Sequence, residues 1–283
     1  MNKNFKIAVI GSGTMGNGIA HIAAKSGFKT TLVDINKNQL DKALSVIHSN
    51  LDRQIKKNII SLIDKENTIN NIILTTDIND CKDKNLVIEA IPEKYDLKVS
   101  LFQQLDSICH KGTIFASNTS SISISNLGNQ TKRSDKVIGM HFMNPVPIMK
   151  LVEVINTMHT SSETTDQIIK LAKAMGKTPI QCNDYPGFVS NRILMPMINE
   201  AAYTFMEGVA SANAIDQIMK LGMGHPMGPL KLADLIGIDV CASIMKVLLN
   251  GFNNTKYMVC PLFEEMIKDN KLGVKTGQGF YKY

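Results

Sequence analysis

The spacing of apolar and polar positions predicts that strands and helices alternate through about two thirds of the chain and that helices alone follow. Short apolar runs typical of buried strands fall at 6–10, 29–33, 72–75, 86–91, 113–116, 137–142, 151–155 and 178–181. Between these runs, apolar residues three and four positions apart indicate helices. The alternation predicts an α/β fold with a doubly wound, mostly parallel sheet.

The first predicted strand runs directly into a glycine-rich turn that opens a helix. The turn reads Gly-Ser-Gly-Thr-Met-Gly and begins at Gly11. Gly11 permits the tight turn, Gly13 lets a pyrophosphate approach the backbone, and Gly16 lets the helix pack closely on the strand. The free N–H groups of the helix N-terminus favour anions, so Thr14 and Met15 belong to the same cofactor loop. Strand, turn and helix together predict a Rossmann-type dinucleotide site.

Asp34 ends the second predicted strand, where a carboxylate can accept a hydrogen bond from a ribose 2′-hydroxyl. The same carboxylate would repel a 2′-phosphate, which favours NAD over NADP. Lys29 and Lys37 lie close to Asp34 in the sequence and keep NADP open as an alternative.

Residues from about 38 to 65 carry a helical pattern that is longer than a plain mononucleotide fold needs. The pattern predicts one long helix, or a helical hairpin that turns near Lys57 and Asn58. Arg53, Lys56 and Lys57 lie on its polar face. A solvated surface is the simpler interpretation of these charges, and an anion-binding face is the alternative.

Polar residues follow two apolar strands further along the chain. Glu93 comes shortly after the strand at 86–91, which we take to be fully apolar, and a Ser-Asn-Thr-Ser-Ser loop follows the strand at 113–116. The carboxyl ends of parallel strands face the ligand crevice of an open sheet. An ordinary loop, with Ser121 or Ser123 capping the next turn, is the simpler alternative.

The strands at 137–142 and 151–155 carry the residues with the clearest catalytic chemistry. His141 ends the first strand, Glu153 lies inside the second, and Pro145 and Pro147 interrupt the loop between them. If the two strands are neighbours, the carboxylate can hold one ring nitrogen and raise the basicity of the other. The pair then forms a general acid/base, whereas a satisfied core pair is the alternative.

The chain changes character at 183–187, where we place a domain boundary. We expect a Rossmann-type cofactor domain at 1–184, with a helical insertion after its second strand, and an all-α domain at 185–283. The second domain has more apolar helix faces than a small bundle can hide. This excess predicts a homodimer or larger homo-oligomer.

Composition limits the kinds of binding partner and the cellular location that we expect for this protein. The net charge is +6 and the sequence pI is about 8.9, but no nucleic-acid-binding motif accompanies the charge. The five cysteines have no metal-ligand spacing, and we expect no metal site. No apolar run is long enough to cross a membrane, and we recognise no signal peptide. We expect a cytoplasmic protein that binds an anionic small molecule.

Six stretches together resemble the L-3-hydroxyacyl-CoA dehydrogenase family. They are Gly-Ser-Gly-Thr-Met-Gly at 11–16, Ala-Ser-Asn-Thr-Ser-Ser at 116–121, His-Phe-Met-Asn-Pro at 141–145, Lys-Leu-Val-Glu-Val at 150–154, Pro-Gly-Phe-Val-Ser-Asn-Arg at 186–192 and Gly-His-Pro-Met-Gly-Pro at 224–229. The resemblance covers the whole chain in order. The glycine-rich turn is shared by many nucleotide-binding proteins, whereas the later stretches are specific.

The resemblance implies a role for individual residues. It implies that His141 is the acid/base, that Glu153 orients it, and that Ser120 and Asn191 hold the substrate oxygen. Family cofactor contacts beyond the glycine-rich turn correspond to Asp34, Glu93, Lys98, Asn118, Asn144 and Lys275. Family contacts to the CoA moiety correspond to Lys57 and Asn50. At Asn50 some members have serine, and Met143 stands where phenylalanine is common.

The implied reaction is the NAD(H)-dependent interconversion of an L-3-hydroxyacyl-CoA and a 3-ketoacyl-CoA, as in fatty acid and butyrate metabolism. Within the family, the length is closest to members that act on 3-hydroxybutyryl-CoA. A dehydrogenase of a free hydroxy acid on the same fold is one alternative. A non-enzymatic nucleotide-binding protein is another, because fold alone does not determine function.

Overall fold

The structure, a computed structural model, describes residues 5–283, which divide into two compact units. The first unit extends to Asp184, and the second is Tyr185–Tyr283. Every strand of the described sheet lies in the first unit, whereas the second is helical. The two units are therefore described separately.

The first unit is built on an eight-stranded sheet. Its strands are β1 (Lys6–Ile10), β2 (Lys29–Val33), β3 (Ile72–Thr75), β4 (Leu86–Glu89), β5 (Ile114–Ser117), β6 (Val137–Phe142), β7 (Leu151–Asn156) and β8 (Thr178–Asn183). They are ordered β3-β2-β1-β4-β5-β6-β7-β8, and all neighbours are parallel except β6 and β7. The first six strands have the order of a dinucleotide-binding sheet, with its switch point between β1 and β4. The predicted Rossmann-type sheet is confirmed.

The helices of this unit connect the strands. They are α1 (Thr14–Lys25), α2 (Lys37–Lys56), α3 (Leu62–Asn70), α4 (Tyr95–Ile108), α5 (Ile124–Gly128) and α6 (Ser162–Ala174). The predicted helical insertion is a hairpin of α2 and α3. The other predicted alternative, one long helix, is wrong. Asn58 has a φ of 54° just after α2, and a capping box of Ser61 and Asp64 begins α3.

The predicted strands are confirmed, and only β4, β5, β7 and β8 have ends shifted by one or two residues. One description of the strands is wrong. The strand at 86–91 ends at Glu89, so it contains a carboxylate and is not fully apolar. Glu89 is 0 % exposed. A buried charge requires a partner, so this residue belongs to the description of the site.

The second unit has its own apolar core, formed where its helices face one another. The helices are α7 (Ser190–Met206), α8 (Ala212–Met223), α9 (Pro229–Ile236), α10 (Ile238–Phe252) and α11 (Pro261–Lys268). Pro229 begins α9, and the carboxylate of Asp216 caps this helix by accepting from the backbone N–H groups of Leu230 at 2.8 Å and Lys231 at 2.9 Å. The all-α character predicted for the last third is confirmed.

Candidate active site

His141 and Glu153 lie directly opposite each other on the antiparallel strands β6 and β7. Nδ1 of His141 is 2.7 Å from Oε2 of Glu153, and the residues are 8 % and 3 % exposed. An ionised carboxylate accepts the Nδ1 proton, so the neutral ring carries its lone pair on Nε2. The predicted neighbouring arrangement of the two strands is confirmed. The pair has the geometry of an acid/base and its orienting carboxylate.

Glu93 organises the hydroxyl-rich loop that follows β5. Its Oε1 accepts from the backbone N–H of Ser120 at 2.9 Å and from the hydroxyl and N–H of Ser121 at 2.9 and 3.1 Å. The hydroxyl of Thr119 donates to the same oxygen at 2.5 Å. Burial opposes ionisation, but the charge of Lys98 and these donors hold the pKa of Glu93 below its ordinary value. A single carboxylate thus fixes the backbone that carries Ser120.

Lys98 connects Glu93 to a buried carboxylate that the sequence analysis missed. Nζ of Lys98 lies 2.5 Å from Glu89 and 3.2 Å from Glu93, and its side chain is 1 % exposed. Glu89 also accepts from the Ser117 hydroxyl at 2.5 Å and from the N–H of Ile91 at 2.7 Å. The network ties the carboxyl ends of β4 and β5 together. A carboxylate inside an apolar strand was the sequence signal that could have revealed it.

The glycine-rich turn fits a dinucleotide. Gly11 has a φ of 95°, and a Cβ on Gly16 would lie 1.7 Å from the carbonyl oxygen of Gly11, so neither position accepts a side chain. A Cβ on Gly13 would meet no atom within 4 Å. Helix α1 begins at Thr14 and continues through Met15, with no side-chain cap and no acidic residue in its first turn. Its N-terminus is therefore suited to a pyrophosphate.

Asp34 lies beside this turn, as the sequence predicts for a ribose contact. Its Oδ2 accepts from the N–H and hydroxyl of Ser12 at 2.8 and 2.7 Å, and Oδ1 accepts from the N–H of Asn36 at 3.0 Å. Partial burial raises the pKa of Asp34, but the donors outweigh it and hold the pKa below its ordinary value. The carboxylate is therefore ionised at neutral pH, and a 2′-phosphate placed beside it would be repelled.

Asn118 and Asn144 follow the ends of β5 and β6. Oδ1 of Asn118 accepts from the backbone N–H of Phe142 at 2.9 Å, next to His141. Asn144 lines a cavity of about 340 Å³ that Gly13 and Thr14 also line. The structure therefore brings Asn144 to the glycine-rich turn, and Asn118 joins the strand ends that carry Ser120 and His141.

Asn50 and Lys57 lie on the helical insertion, in and just after α2. They line a cavity of about 410 Å³ that Pro145 and Pro147 of the β6–β7 loop also line. Oδ1 of Asn50 accepts from the Arg53 guanidinium. The two residues expected to contact CoA therefore line one groove.

Asn191 and Lys275 belong to the second unit. Asn191 lies in the first turn of α7 and is 8 % exposed. Nζ of Lys275 lies 2.5 and 2.7 Å from the two carboxylate oxygens of Asp239. Asp239 was not identified from the sequence. An acidic residue near the start of α10 has no signal of its own in the local pattern.

A Rossmann-type sheet with a His–Glu pair near its strand ends is typical of nicotinamide-dependent oxidoreductases. Comparison with known proteins identifies the family. The model described as 3-hydroxyacyl-CoA dehydrogenase, NAD binding domain, matches residues 6–185, and the model of the C-terminal domain of the same family matches residues 187–283. The chain belongs to the 3-hydroxyacyl-CoA dehydrogenase family. The predicted family, oxidoreductase class and NAD cofactor are confirmed.

Similar proteins match over nearly the full length. The chain is 49% identical to a probable 3-hydroxybutyryl-CoA dehydrogenase of Bacillus subtilis, over 98% of this chain and 97% of that protein. It is 48% identical to a 3-hydroxybutyryl-CoA dehydrogenase of Clostridioides difficile, over 98% of this chain and 99% of that protein. The crystal structure of (S)-3-hydroxybutyryl-CoA dehydrogenase from Ralstonia eutropha matches with a TM-score of 0.96 and 47% identity, over 98% of each chain.

Two features are absent from residues 5–283. No helix in this range is long and apolar enough to span a membrane. No group of three or more His, Cys, Asp or Glu side chains in the same range is arranged to hold a metal ion.

Proposed function

We propose that this chain is a 3-hydroxybutyryl-CoA dehydrogenase, which interconverts L-3-hydroxybutyryl-CoA and acetoacetyl-CoA with NAD(H). The observation that carries the proposal is the 2.7 Å contact between His141 and Glu153 at the strand ends of the NAD-binding unit. Relatives 48% and 49% identical over almost the whole chain have this activity in their names, which supports the choice of substrate.

His141 carries the proton transfer. Bound NAD would supply the acceptor for the hydride that leaves C3 of the hydroxyacyl group. Nε2 of His141 takes the proton of the C3 hydroxyl, which leaves a C3 ketone and an imidazolium. Glu153 stabilises that imidazolium through Nδ1–H. In the reducing direction the imidazolium returns the proton to the oxygen at C3.

Ser120 holds the substrate oxygen in this proposal, and Asn191 is assigned to the same oxygen on the family resemblance alone. Hydrogen bonds to that oxygen set the distance and angle of C3 relative to the nicotinamide, on which the rate depends steeply. The contacts of Glu93 with the N–H groups of Ser120 and Ser121 support a positioning role for that carboxylate.

The proposed cofactor contacts likewise divide into those that observed geometry supports and those that rest on the family resemblance alone. Gly11, Gly13, Thr14, Met15 and Gly16 are proposed to surround the pyrophosphate, and Asp34 to hold the adenosine ribose. The remaining contacts are proposed for Glu93, Asn118 and Asn144, and on the resemblance alone for Lys275. Lys98 is buried against Glu89 and Glu93, which supports a positioning role through Glu93 rather than a direct contact.

One assay matrix tests the function. The oxidation of NADH and NADPH is followed with acetoacetyl-CoA, with a longer 3-ketoacyl-CoA and with free acetoacetate. We expect acetoacetyl-CoA with NADH to give the highest kcat/KM. Comparable turnover of free acetoacetate would favour the hydroxy-acid alternative, and no oxidation with any 3-ketoacyl-CoA would favour a non-enzymatic protein.

We also propose that the second unit mediates a homodimer or larger homo-oligomer. Large apolar side chains on or beside α7, α8 and α9 are well exposed, among them Ile193 at 68%, Val209 at 70%, Leu221 at 82% and Leu235 at 58%. Sedimentation velocity of the wild type and of Leu221→Glu tests the proposal. We expect an oligomer that the charge weakens, and a monomeric wild type would contradict it.

A further inference from the structure

A second cavity, of about 420 Å³, lies on the first unit beside the groove that Asn50 and Lys57 line. Its walls come from the end of α1, from α2, from the β6–β7 loop and from the turn between α6 and β8. Lys25, Lys150 and Lys177 line it, and none of its lining residues among the described part of the chain is acidic. We call this cavity the Lys25 pocket. Such a concentration of one sign of charge attracts anions.

Lys177 places a positive charge in the wall of the Lys25 pocket. The residue is 8 % exposed, and its Nζ donates to the carbonyl oxygens of Val146 and of Met149, the latter at 2.7 Å. Both acceptors are neutral, so they satisfy two of the three ammonium hydrogens without balancing the charge. Burial and the nearby charge of Lys25 lower the pKa of Lys177. An anion in the pocket would relieve this cost.

His21 adds a buried polar atom to the same wall. The residue is 0 % exposed, and its Nδ1 has no hydrogen-bond partner among the described residues. Nε2 lies 3.5 Å from Nε2 of Gln54. Because buried polar groups are nearly always paired in folded proteins, an orphaned ring nitrogen on a pocket wall indicates a polar partner, either a water molecule or a ligand atom. With an N–H at Nδ1, the ring can donate to an anionic oxygen.

The Lys25 pocket continues into the groove of Asn50 and Lys57. Lys25, Gln54, Pro147 and Ile148 line both cavities. Nζ of Lys25 donates to Oε1 of Gln54 at 2.6 Å, which holds its charge at the junction. A ligand that contacts Lys57 in the groove can therefore extend past Lys25 into the pocket.

We propose that the Lys25 pocket binds a phosphate group of the CoA moiety, with Lys25 and Lys150 as its accessible charge contacts. The inference rests on the proposed function, because it assumes that the thioester substrate lies in the groove of Asn50 and Lys57. CoA carries a diphosphate and a 3′-phosphate. Either group would supply a negative charge that balances the positive charges of Lys177 and Lys25. The pocket then selects CoA thioesters over thioesters without phosphates.

The test compares acetoacetyl-CoA with acetoacetyl-pantetheine, which keeps the reacting groups and lacks every phosphate. For Lys25→Gln and Lys150→Gln, we expect the ratio of kcat/KM for the CoA thioester to that for the pantetheine thioester to fall about twofold to fivefold, the upper part of the range for a charge contact at an exposed site. The loss should appear in KM for acetoacetyl-CoA and shrink at high salt, because salt screens exposed charges.

Lys111→Gln is the matched control, because it removes the same charge from an exposed turn before β5, outside both cavities. We expect its ratio to equal that of the wild type. Equal ratios in all three variants would overturn the inference and leave Lys25 and Lys150 as solvated surface charges. A wild type that does not reduce acetoacetyl-CoA would instead refute the proposed function.

A separate arm distinguishes CoA from free phosphate as the source of the anion. Inhibition of the wild type and variants by CoA and by inorganic phosphate is measured with acetoacetyl-pantetheine as substrate. We expect Lys25→Gln and Lys150→Gln to weaken inhibition by CoA about twofold to fivefold. If the variants weaken inhibition by inorganic phosphate alone, the pocket is a free-anion site and the assignment to CoA is wrong.

Discussion

Nδ1 of His141 lies 2.7 Å from Oε2 of Glu153, because the β6–β7 register places the two residues directly opposite each other. Both side chains are nearly buried, so little water competes for the contact. The register sends both side chains to the same face of the sheet. Strands β6 and β7 are antiparallel, whereas all other neighbouring strands are parallel. His141 and Glu153 therefore lie where the strand direction reverses within the sheet.

Replacement of the imidazole should remove the proton transfer. For His141→Ala we expect kcat to fall by about two to four orders of magnitude, the usual contribution of a general acid/base. The measurement is NADH oxidation with acetoacetyl-CoA, and NADH binding followed by fluorescence reports whether the variant retains the cofactor site. Turnover within a few-fold of the wild type would show that another group moves the proton.

Loss of the Glu153 charge should weaken catalysis while the strands stay paired. For Glu153→Gln we expect kcat to fall by about one to two orders of magnitude, because an amide stabilises an imidazolium less well than a carboxylate. The kcat–pH profile should change shape, which loss of packing alone would not cause. An unaltered profile would assign Glu153 a structural role only.

Asp34 should determine the choice of cofactor. In Asp34→Ala we expect KM for NADH to rise about tenfold, because an ionised acceptor is lost, and the preference for NADH over NADPH to fall by a similar factor. Steady-state kinetics with both cofactors gives the two numbers. Asp41→Ala, an exposed position on α2, controls for the change in net charge. A preference equal to that of the wild type would exclude Asp34 from the ribose site.

The buried network around Glu89 should contribute to stability and to cofactor binding. For Glu89→Gln we expect the free energy of unfolding to decrease by about 1–3 kcal/mol, since Lys98 loses its nearer partner and keeps Glu93. Urea denaturation measures this change in stability. The KM for NADH should also rise, because Glu89 holds Lys98 and Lys98 in turn positions Glu93. A double-mutant cycle of Glu89→Gln, Lys98→Gln and the double variant isolates the interaction energy between the two residues. Additive changes in the free energy of unfolding would mean that Glu89 and Lys98 act separately.

His21 should make the protein less stable in mild acid. Burial, with the charges of Lys25 and Lys177, lowers the pKa of His21 to about 4 in the folded chain, against 6.5 as its ordinary value. The unfolded chain therefore binds this proton more tightly. The free energy of unfolding is undiminished above pH 6.5 and falls as the pH decreases towards 4, by up to about 3 kcal/mol.

Urea denaturation in buffers without phosphate, at several pH values between 7 and 4, measures this effect. We expect His21→Gln to show a shallower pH dependence of unfolding than the wild type over that range. The control is His159→Gln, at an exposed position, which should retain the slope of the wild type. A His21→Gln slope equal to that of the wild type would assign the acid sensitivity to other groups.

Much of the fold was predictable because its signals are local. Strand β1, the glycine-rich turn and helix α1 follow from a continuous stretch of sequence in which each residue has a stated steric reason. For residues 38–65 the sequence left two alternatives open, one long helix or a hairpin. The structure has the hairpin of α2 and α3, because the capping box of Ser61 and Asp64 begins a new helix. The strand at 86–91 was misjudged because its apolar residues obscured Glu89 within it.

The amino-acid sequence by itself determined the class of fold and the residue types available for hydride and proton transfer. Only the tertiary structure decided the partners: Glu153 for His141, Glu93 for the Ser120 backbone, and Lys98 between Glu89 and Glu93. The physical reason is the range of the interactions. Periodicity and turn chemistry act between close neighbours, whereas strand order and register bring together side chains distant in the sequence, where a one-residue slip would turn each to the opposite face.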